Sequence, residues 1–205
     1  MIHPDPPRTL LPPPAEQLSV DFANTRFWRG TPAPEETLAT PHDLLAWLAG
    51  AGIPATETLR AEWQANASAA ETAHRTAIEL REVIYRVLAG PDPAPDDLAA
   101  LNRALAIAPP RRHLERTAGG FAWRIEGRSP ALGALLAPIL WSAADLLAGP
   151  RRPRVRTCAN PQCRWLFLDD SKAGTRRWCS MASCGNRAKA HRHYARLRNR
   201  RALTT

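Results

Sequence analysis

Apolar residues recur every three or four positions over most of the first 150 residues, the spacing of helices with one buried face. Glycine and proline mark where these stretches end. Thr40-Pro41 before HDLLAWLAG supplies an N-cap and a first-turn proline for a helix ending at Gly50. Residues 56–89 contain neither glycine nor proline, which predicts one long helix or two adjoining ones. The predicted helices begin at Glu16 and otherwise cover 41–50, 56–89, 96–106 and 131–148.

The segment RRHLERTAGGFAWRIEG changes to a period of two residues. Phe121, Trp123 and Ile125 fall on one face after the turn at Gly119-Gly120, which is typical of a β-hairpin. The first 150 residues therefore predict a mainly α N-terminal domain with one β-hairpin.

Two segments bear on export and membranes. Six prolines among the first fourteen residues predict a disordered or extended leader over 1–15, and this start lacks the basic and apolar regions of a signal peptide. The apolar stretch 131–147 contains Pro138, Ser142 and Asp145 and is shorter than the roughly 20 apolar residues that span a bilayer. We expect a buried helix there, no membrane partner and a cytoplasmic protein.

Composition excludes collagen, coiled coil and general disorder, because 44% of the 205 residues are hydrophobic and 23% are charged. The net charge of +9 is distributed unevenly. Residues 1–150 have 13 Arg against 17 acidic residues, whereas residues 151–205 have 15 Lys and Arg against 2 acidic residues. This asymmetry predicts a polyanionic partner, nucleic acid before membrane.

All four cysteines lie within 27 residues, as Cys158-x4-Cys163-x15-Cys179-x4-Cys184. Two close pairs separated by a loop of about 15 residues are typical of a four-thiolate zinc site, although x4 is wider than the common x2 spacing. Two disulfides or four unrelated buried cysteines are the alternatives, which the missing export signal disfavours. We predict one structural Zn2+ ion.

The segments around the cysteines predict a treble-clef-like finger over residues 150–205. CANPQC forms a knuckle, and RWLFLDD and TRRWC form the two paired strands of a hairpin. A helix follows with Ser183 as its N-cap and Cys184 in its first turn. So small an α+β unit has little apolar surface to bury, so we expect the metal to be essential for its folding.

Two motifs resemble known families. Cys184-Gly185-Asn186-Arg187 spells the motif that names the CGNR zinc-finger family, and all four cysteines fit that pattern. LSVDFANT, residues 18–25, is similar to the LxLDFxNT opening of the ABATE domain. The resemblance implies a bacterial, stress-induced transcription regulator with an ABATE-like domain over 16–149 and a CGNR finger over 150–205.

The helix after Cys184 has a cationic face. At 100° per residue, five side chains fall within a sector of about 100°. Electrostatics on such a face favour salt-sensitive DNA binding, with a solvated surface, RNA or an acidic protein partner as alternatives. One finger offers few base contacts, which favours a homodimer. The predicted nucleic-acid contacts are Lys189, Arg192, His193, Arg196 and Arg200, with Arg176 and Arg177 before Cys179 and further cations at 151, 152, 154 and 156.

Arg187 falls beside Cys184, away from the cationic sector. We therefore expect a structural role for it, pairing with Asp169 or Asp170 or donating to a carbonyl near the zinc.

In the N-terminal domain, Asp21, Asn24, Thr25 and Arg26 place polar groups beside an apolar helix and need partners when buried. Either they brace neighbouring helices, or Asp21, Asn24 and Arg26 line a pocket for a small-molecule effector. The sequence contains no nucleophile elbow, P-loop, HExxH or GxGxxG motif, and four thiolates leave zinc no open position. We expect no enzyme activity.

Overall fold

The computed structural model describes residues 8–11, 13–53, 55, 57–126 and 132–190. Helices dominate the N-terminal domain, as the apolar spacing predicts. The stretch 56–89 forms two helices, because the Asn66 side chain accepts a hydrogen bond from the Ala69 N–H at 3.0 Å and caps the second. The helices are α1 (Leu18–Ala23), α2 (Pro41–Gly50), α3 (Glu57–Ala65), α4 (Ala67–Ala89), α5 (Pro95–Ile107) and α6 (Leu132–Ala148).

The start of α2 confirms the predicted cap. The Asp43 N–H donates to the Thr40 hydroxyl at 3.2 Å, and the Thr40 N–H donates to the Asp43 carboxylate at 2.9 Å. These reciprocal bonds form a capping box in front of Pro41.

The main core lies where α1, α4 and α6 meet. Phe22 of α1, Ile84 of α4, and Leu135 and Ile139 of α6 are fully buried. The apolar character of α6 thus reflects burial against neighbouring helices. Among the helices in the described part of the chain, none has both the length and the apolar character required to cross a membrane.

The predicted hairpin consists of β4 (His113–Thr117) and β5 (Gly120–Glu126). A third strand, β1 (Arg8–Leu11), pairs antiparallel with the other side of β5 and places Leu11 opposite Trp123. Leu11 is buried in the main core. Of the two alternatives for the leader, residues 8–11 are extended and not disordered, because this segment has both a strand partner and an apolar anchor.

Two small antiparallel pairs complete the strands. β2 (Arg26–Phe27) pairs with β3 (Glu35–Glu36), and β6 (Val155–Thr157) pairs with β7 (Leu166–Leu168). The prediction that TRRWC forms the partner of RWLFLDD is wrong. Residues 175–178 have no regular structure, and β7 instead pairs with the segment just before Cys158, so the knuckle is the hairpin's own loop.

Alternation along β7 joins the finger to the N-terminal domain. Leu166 and Leu168 are buried in the main core, whereas Phe167 between them packs with the cysteines. Since successive strand residues point to opposite faces, one short strand contributes to both cores. The finger is therefore docked on the body, which we define as residues 16–149.

Polar contacts fix this docking. The Asn24 amide donates to the Leu166 carbonyl at 2.8 Å and accepts from the Leu166 N–H at 2.9 Å. The Arg152 guanidinium donates to the carbonyls of Leu88 and Val87, both at 3.0 Å, at the C-terminal end of α4, where carbonyls lack helical partners. Burial lowers the pKa of Arg152.

At Gly30 the backbone of the body lies directly against the backbone of the knuckle. The Gly30 N–H donates to the Gln162 carbonyl at 3.1 Å. A Cβ atom on Gly30 would lie 1.7 Å from the Pro161 carbonyl oxygen, far inside van der Waals contact. Only glycine permits this approach.

Gly30→Ala is expected to lower the free energy of unfolding by about 1–3 kcal/mol, because the added methyl group must displace the knuckle backbone. Denaturant unfolding followed by tryptophan fluorescence measures the change. The matched control is Gly50→Ala in α2, where a Cβ meets nothing within 4 Å. That control should leave stability unchanged or raise it by up to about 1 kcal/mol. Equal stability of the two variants would contradict the docked arrangement.

Candidate metal centre

The four cysteines converge on one point. Their sulfur atoms all lie within 4.8 Å of one another, with Cys163 and Cys179 3.7 Å apart and Cys179 and Cys184 3.8 Å apart. A zinc ion bound by four thiolates at about 2.3 Å places neighbouring sulfurs about 3.8 Å apart in a tetrahedron. The donor set and its spacing thus fit one structural zinc ion.

Three chain segments supply the ligands. Cys158 and Cys163 lie in the loop between β6 and β7, and Cys179 follows an irregular loop. Cys184 lies in a π-helical turn, Met181–Gly185, which continues as helix over 186–190. Cys184 is in the first helical turn as predicted, but the N-cap is Ser180, whose hydroxyl accepts from the Ser183 N–H.

Asn160 organises the knuckle from within. Its side-chain amide donates to the Cys184 sulfur at 3.5 Å and accepts from the Gln162 N–H at 3.1 Å. Its backbone carbonyl accepts from the Cys163 N–H at 3.0 Å. Arg164, just beyond, has a left-handed backbone with φ of 55°, a conformation that reverses the chain after the second ligand.

The thiols differ in acidity. Burial raises the pKa of Cys163 to about 12 and also raises that of Cys179. For Cys184, burial raises the pKa, but hydrogen bonds from Asn160 and the other thiols outweigh it and lower the value. Because zinc binds thiolates, the ion must displace protons on entering the buried site.

Arg176 braces the loop that holds Cys179. Its guanidinium donates to the Trp178 carbonyl at 2.8 Å and to the Cys179 carbonyl, and it lies 4.6 Å from the centre of the Phe167 ring. Its backbone N–H donates to the buried Asp169 carboxylate at 2.9 Å. A side chain expected to contact nucleic acid therefore supports the metal site.

The remaining predicted nucleic-acid contacts fall into two groups. Arg177 and Lys189 are exposed, and the Arg177 guanidinium lies 5.4 Å from the centre of the Trp178 ring. The other four lie outside the described residues. They are Arg192, His193, Arg196 and Arg200.

The linker arginines contact the protein itself. Arg151 pairs with Glu16 and Asp170, Arg154 donates to the Ser171 carbonyl at 3.0 Å, and Arg156 donates to Gly174. With Arg152 on the end of α4, all four join parts of the chain. The sequence predicted phosphate contacts for these four arginines and did not indicate that they bind other groups of the protein.

Arg187 does not pair with either predicted aspartate. Its guanidinium lies 4.7 Å from the centre of the Trp28 ring, while Asp169 accepts from Ser171 and Arg176, and Asp170 pairs with Arg151. The expected structural role holds in a different form, a cation–π contact between helix and body. Sequence spacing within the finger gave no signal for a partner 159 positions away.

Two of the three residues proposed to line an effector pocket contact other parts of the protein. Asn24 is hydrogen-bonded to the Leu166 backbone, and the Arg26 guanidinium lies 3.7 Å from the Glu82 carboxylate. Asp21 is exposed as a residue, but partial burial of its carboxyl group raises its pKa, and a hydrogen bond with Gln17 offsets only part of that rise. Asn24 and Arg26 therefore brace the fold, which is one of the two alternatives. A cavity of about 390 Å3 lies elsewhere in the body, between α2, α3 and α4, with His42, Arg60 and Trp63 in its lining.

An ionic network centred on the buried Arg81 was not predicted from the sequence. Arg81, 1% exposed, forms two bonds of 2.6 Å to Glu36 and also contacts Glu82. Glu82 in turn binds Arg29, which stacks 3.9 Å from the Tyr85 ring centre. The Tyr85 hydroxyl donates to the Arg164 carbonyl at 2.8 Å, so the network ends at the knuckle.

Arg176→Ala is expected to weaken zinc retention by about 10- to 100-fold, because second-shell partners orient the ligands. Competition with a chromogenic chelator measures the affinity. Arg177→Ala is the matched control, because it removes the same charge at the next position. The Arg177 side chain is exposed and lies over the Trp178 ring, so this variant should retain zinc as the unaltered protein does. Identical zinc retention in the two variants would show that Arg176 does not support the site.

Two known protein families match the chain. The ABATE family model, described as "Putative stress-induced transcription regulator", matches residues 16–150. The CGNR zinc-finger model matches residues 154–197. No curated protein matches the chain. Neither matched family is an enzyme family by its description. The motifs at 18–25 and 184–187 are therefore those of the matched families, and the chain belongs to the ABATE family, with a CGNR zinc finger after its ABATE domain.

Proposed function

We propose that this protein is a cytoplasmic transcription regulator whose zinc finger binds DNA through the helix that begins at the metal centre. The body senses a small-molecule effector or mediates assembly, a homodimer in the simplest case. The family description supports regulation. Four sulfur ligands complete a tetrahedron and leave the zinc ion no open position, which supports a structural rather than a catalytic role for the metal.

One observation carries the proposal. Cys184 lies in the first turn of the basic helix, and Arg187 one turn later stacks on Trp28 of the body. The zinc ion and the body therefore fix the direction in which the helix leaves the finger. A rigid start is what a recognition helix needs to present side chains to a groove.

Contacts within the protein support a smaller set of proposed DNA contacts than the full list of basic residues. Residues 151, 152, 154, 156 and 176 bind carboxylates or carbonyls of the protein. Arg177 and Lys189 are exposed near the start of the helix. The proposed phosphate and base contacts are therefore Arg177, Lys189, Arg192, His193, Arg196 and Arg200.

The docked body provides a route for regulation. Asn24 and Trp28 hold β7 and Arg187, so a change in α1 or the turn after it would move the helix. The cavity between α2, α3 and α4 is the proposed effector site in place of Asp21, Asn24 and Arg26. The buried Arg81–Glu82–Arg29 network connects α4 to that turn.

The test measures binding to duplex DNA by fluorescence anisotropy at several salt concentrations. The triple variant Arg192→Ala, Arg196→Ala, Arg200→Ala should bind more weakly. It should also flatten the slope of log affinity against log salt by about 3, because each lost phosphate contact removes about one released counterion.

The matched control removes three exposed arginines of the body, Arg75, Arg103 and Arg112, and changes the net charge equally. It should keep the full salt slope. Equal loss in both triple variants would mean that net charge alone drives binding. Stronger binding to RNA or to an acidic peptide than to any duplex would overturn the DNA proposal.

A further inference from the structure

A cleft opens beside the metal centre. It has a volume of about 470 Å3 and lies between the knuckle, the loop before Cys179 and the start of the basic helix. Its volume falls in the range of small-molecule sites, roughly 300–1,000 Å3. We call it the knuckle cleft. Its walls include Pro161, Gln162, Arg177, Trp178, Arg187 and Ala188.

Two guanidinium groups line the cleft, and each stacks on an indole ring. Arg177 lies 5.4 Å from the Trp178 ring centre, and Arg187 lies 4.7 Å from the Trp28 ring centre. Stacking holds a planar guanidinium in one orientation. Because both side chains are also exposed, their N–H groups are available to an anion such as a phosphate.

The remaining walls favour a planar apolar group. Trp178 is half-buried and offers its indole ring, while Pro161 and Ala188 add apolar surface. Gln162, which is exposed, places an amide beside them and can both donate and accept. An aromatic surface beside cationic groups is the arrangement that proteins use to bind unpaired bases.

Electrostatics set the orientation of such a ligand. Four thiolates on one zinc ion carry a net charge of −2, and Cys184 lies in the cleft wall. A phosphate would be repelled from that inner wall and attracted to the two guanidinium groups. A neutral heterocycle suits the inner part of the cleft, where it meets Trp178 and the sulfur.

We propose that the knuckle cleft binds one nucleotide unit, with its base stacked on Trp178 and its phosphate held by Arg177 and Arg187. The nucleotide comes either from an unpaired position in bound DNA or from a free mononucleotide. The first source rests on the proposed DNA-binding function. The second source does not, and it would make the cleft an effector site that competes with DNA for Arg177.

The experiment has two arms on the full-length zinc-loaded chain. Calorimetry measures binding of dAMP, and anisotropy compares a perfect duplex with the same duplex carrying one bulged adenosine. The variants are Arg177→Gln, Arg187→Gln and Trp178→Phe. The control is Lys172→Gln, which removes one exposed cation from a loop outside the cleft lining. Zinc content is measured for every variant.

We expect the bulged duplex to bind about tenfold more tightly than the perfect duplex, as a single base–aromatic contact provides. Arg177→Gln and Arg187→Gln should abolish this ratio while zinc stays bound. Trp178→Phe should retain part of it, because phenylalanine still stacks, and Lys172→Gln should keep it entirely.

Each other outcome has a definite meaning. Binding of dAMP that the two arginine variants lose, without preference for the bulge, supports the cleft with the free nucleotide as its ligand. Equal affinity for both duplexes with no dAMP binding overturns the cleft proposal and leaves DNA binding standing. Failure to bind any duplex while dAMP binds overturns the DNA-binding function and leaves the cleft proposal standing.

Discussion

The arrangement of the finger depends on four sulfur atoms meeting round one zinc ion. Those sulfurs come from the loop of a short hairpin, an irregular loop and the first turn of a helix, and a small apolar cluster that includes Phe167 and Trp178 packs with them. So short a segment buries little apolar surface, and the ion adds the stability that this small cluster does not provide. Asn160 and Arg176 then orient the ligand loops, so the helix after Cys184 has a fixed origin.

The finger is nevertheless not an appendage of the ABATE domain. β7 buries two leucines in the core of the body, Asn24 binds the β7 backbone, and Gly30 lies against the knuckle.

The basic residues of the linker and the finger fall into two groups. The linker arginines bind carboxylates and carbonyls of the protein, whereas Arg177, Arg187 and Lys189 make no such contact among the described residues and are exposed. The net charge of this region therefore overstates how many of its described cations lack a partner within the protein.

The features that the sequence predicted correctly are those set by interactions between residues close together in the chain. The Thr40 cap, the Gly119-Gly120 hairpin and the paired cysteines each depend on residues a few positions apart, and the structure confirms them. Contacts between distant segments were missed. The disordered-or-extended leader was predicted without the pairing of β1 with β5. TRRWC was predicted to be the partner of β7 in place of β6. Arg187 was predicted to bind an aspartate or a carbonyl, and it lies against the Trp28 ring. Each error concerns a partner chosen by tertiary packing, which periodicity does not encode.

Hydrogen exchange of the zinc-loaded chain, before and after chelation, tests most directly whether the metal centre and the body form one unit. We expect chelation to raise exchange in residues 155–190 and also in the body around Asn24, Trp28 and the end of α4, since these contact the finger. Faster exchange confined to 155–190 would contradict the shared core. Unchanged exchange throughout would contradict the metal's structural role.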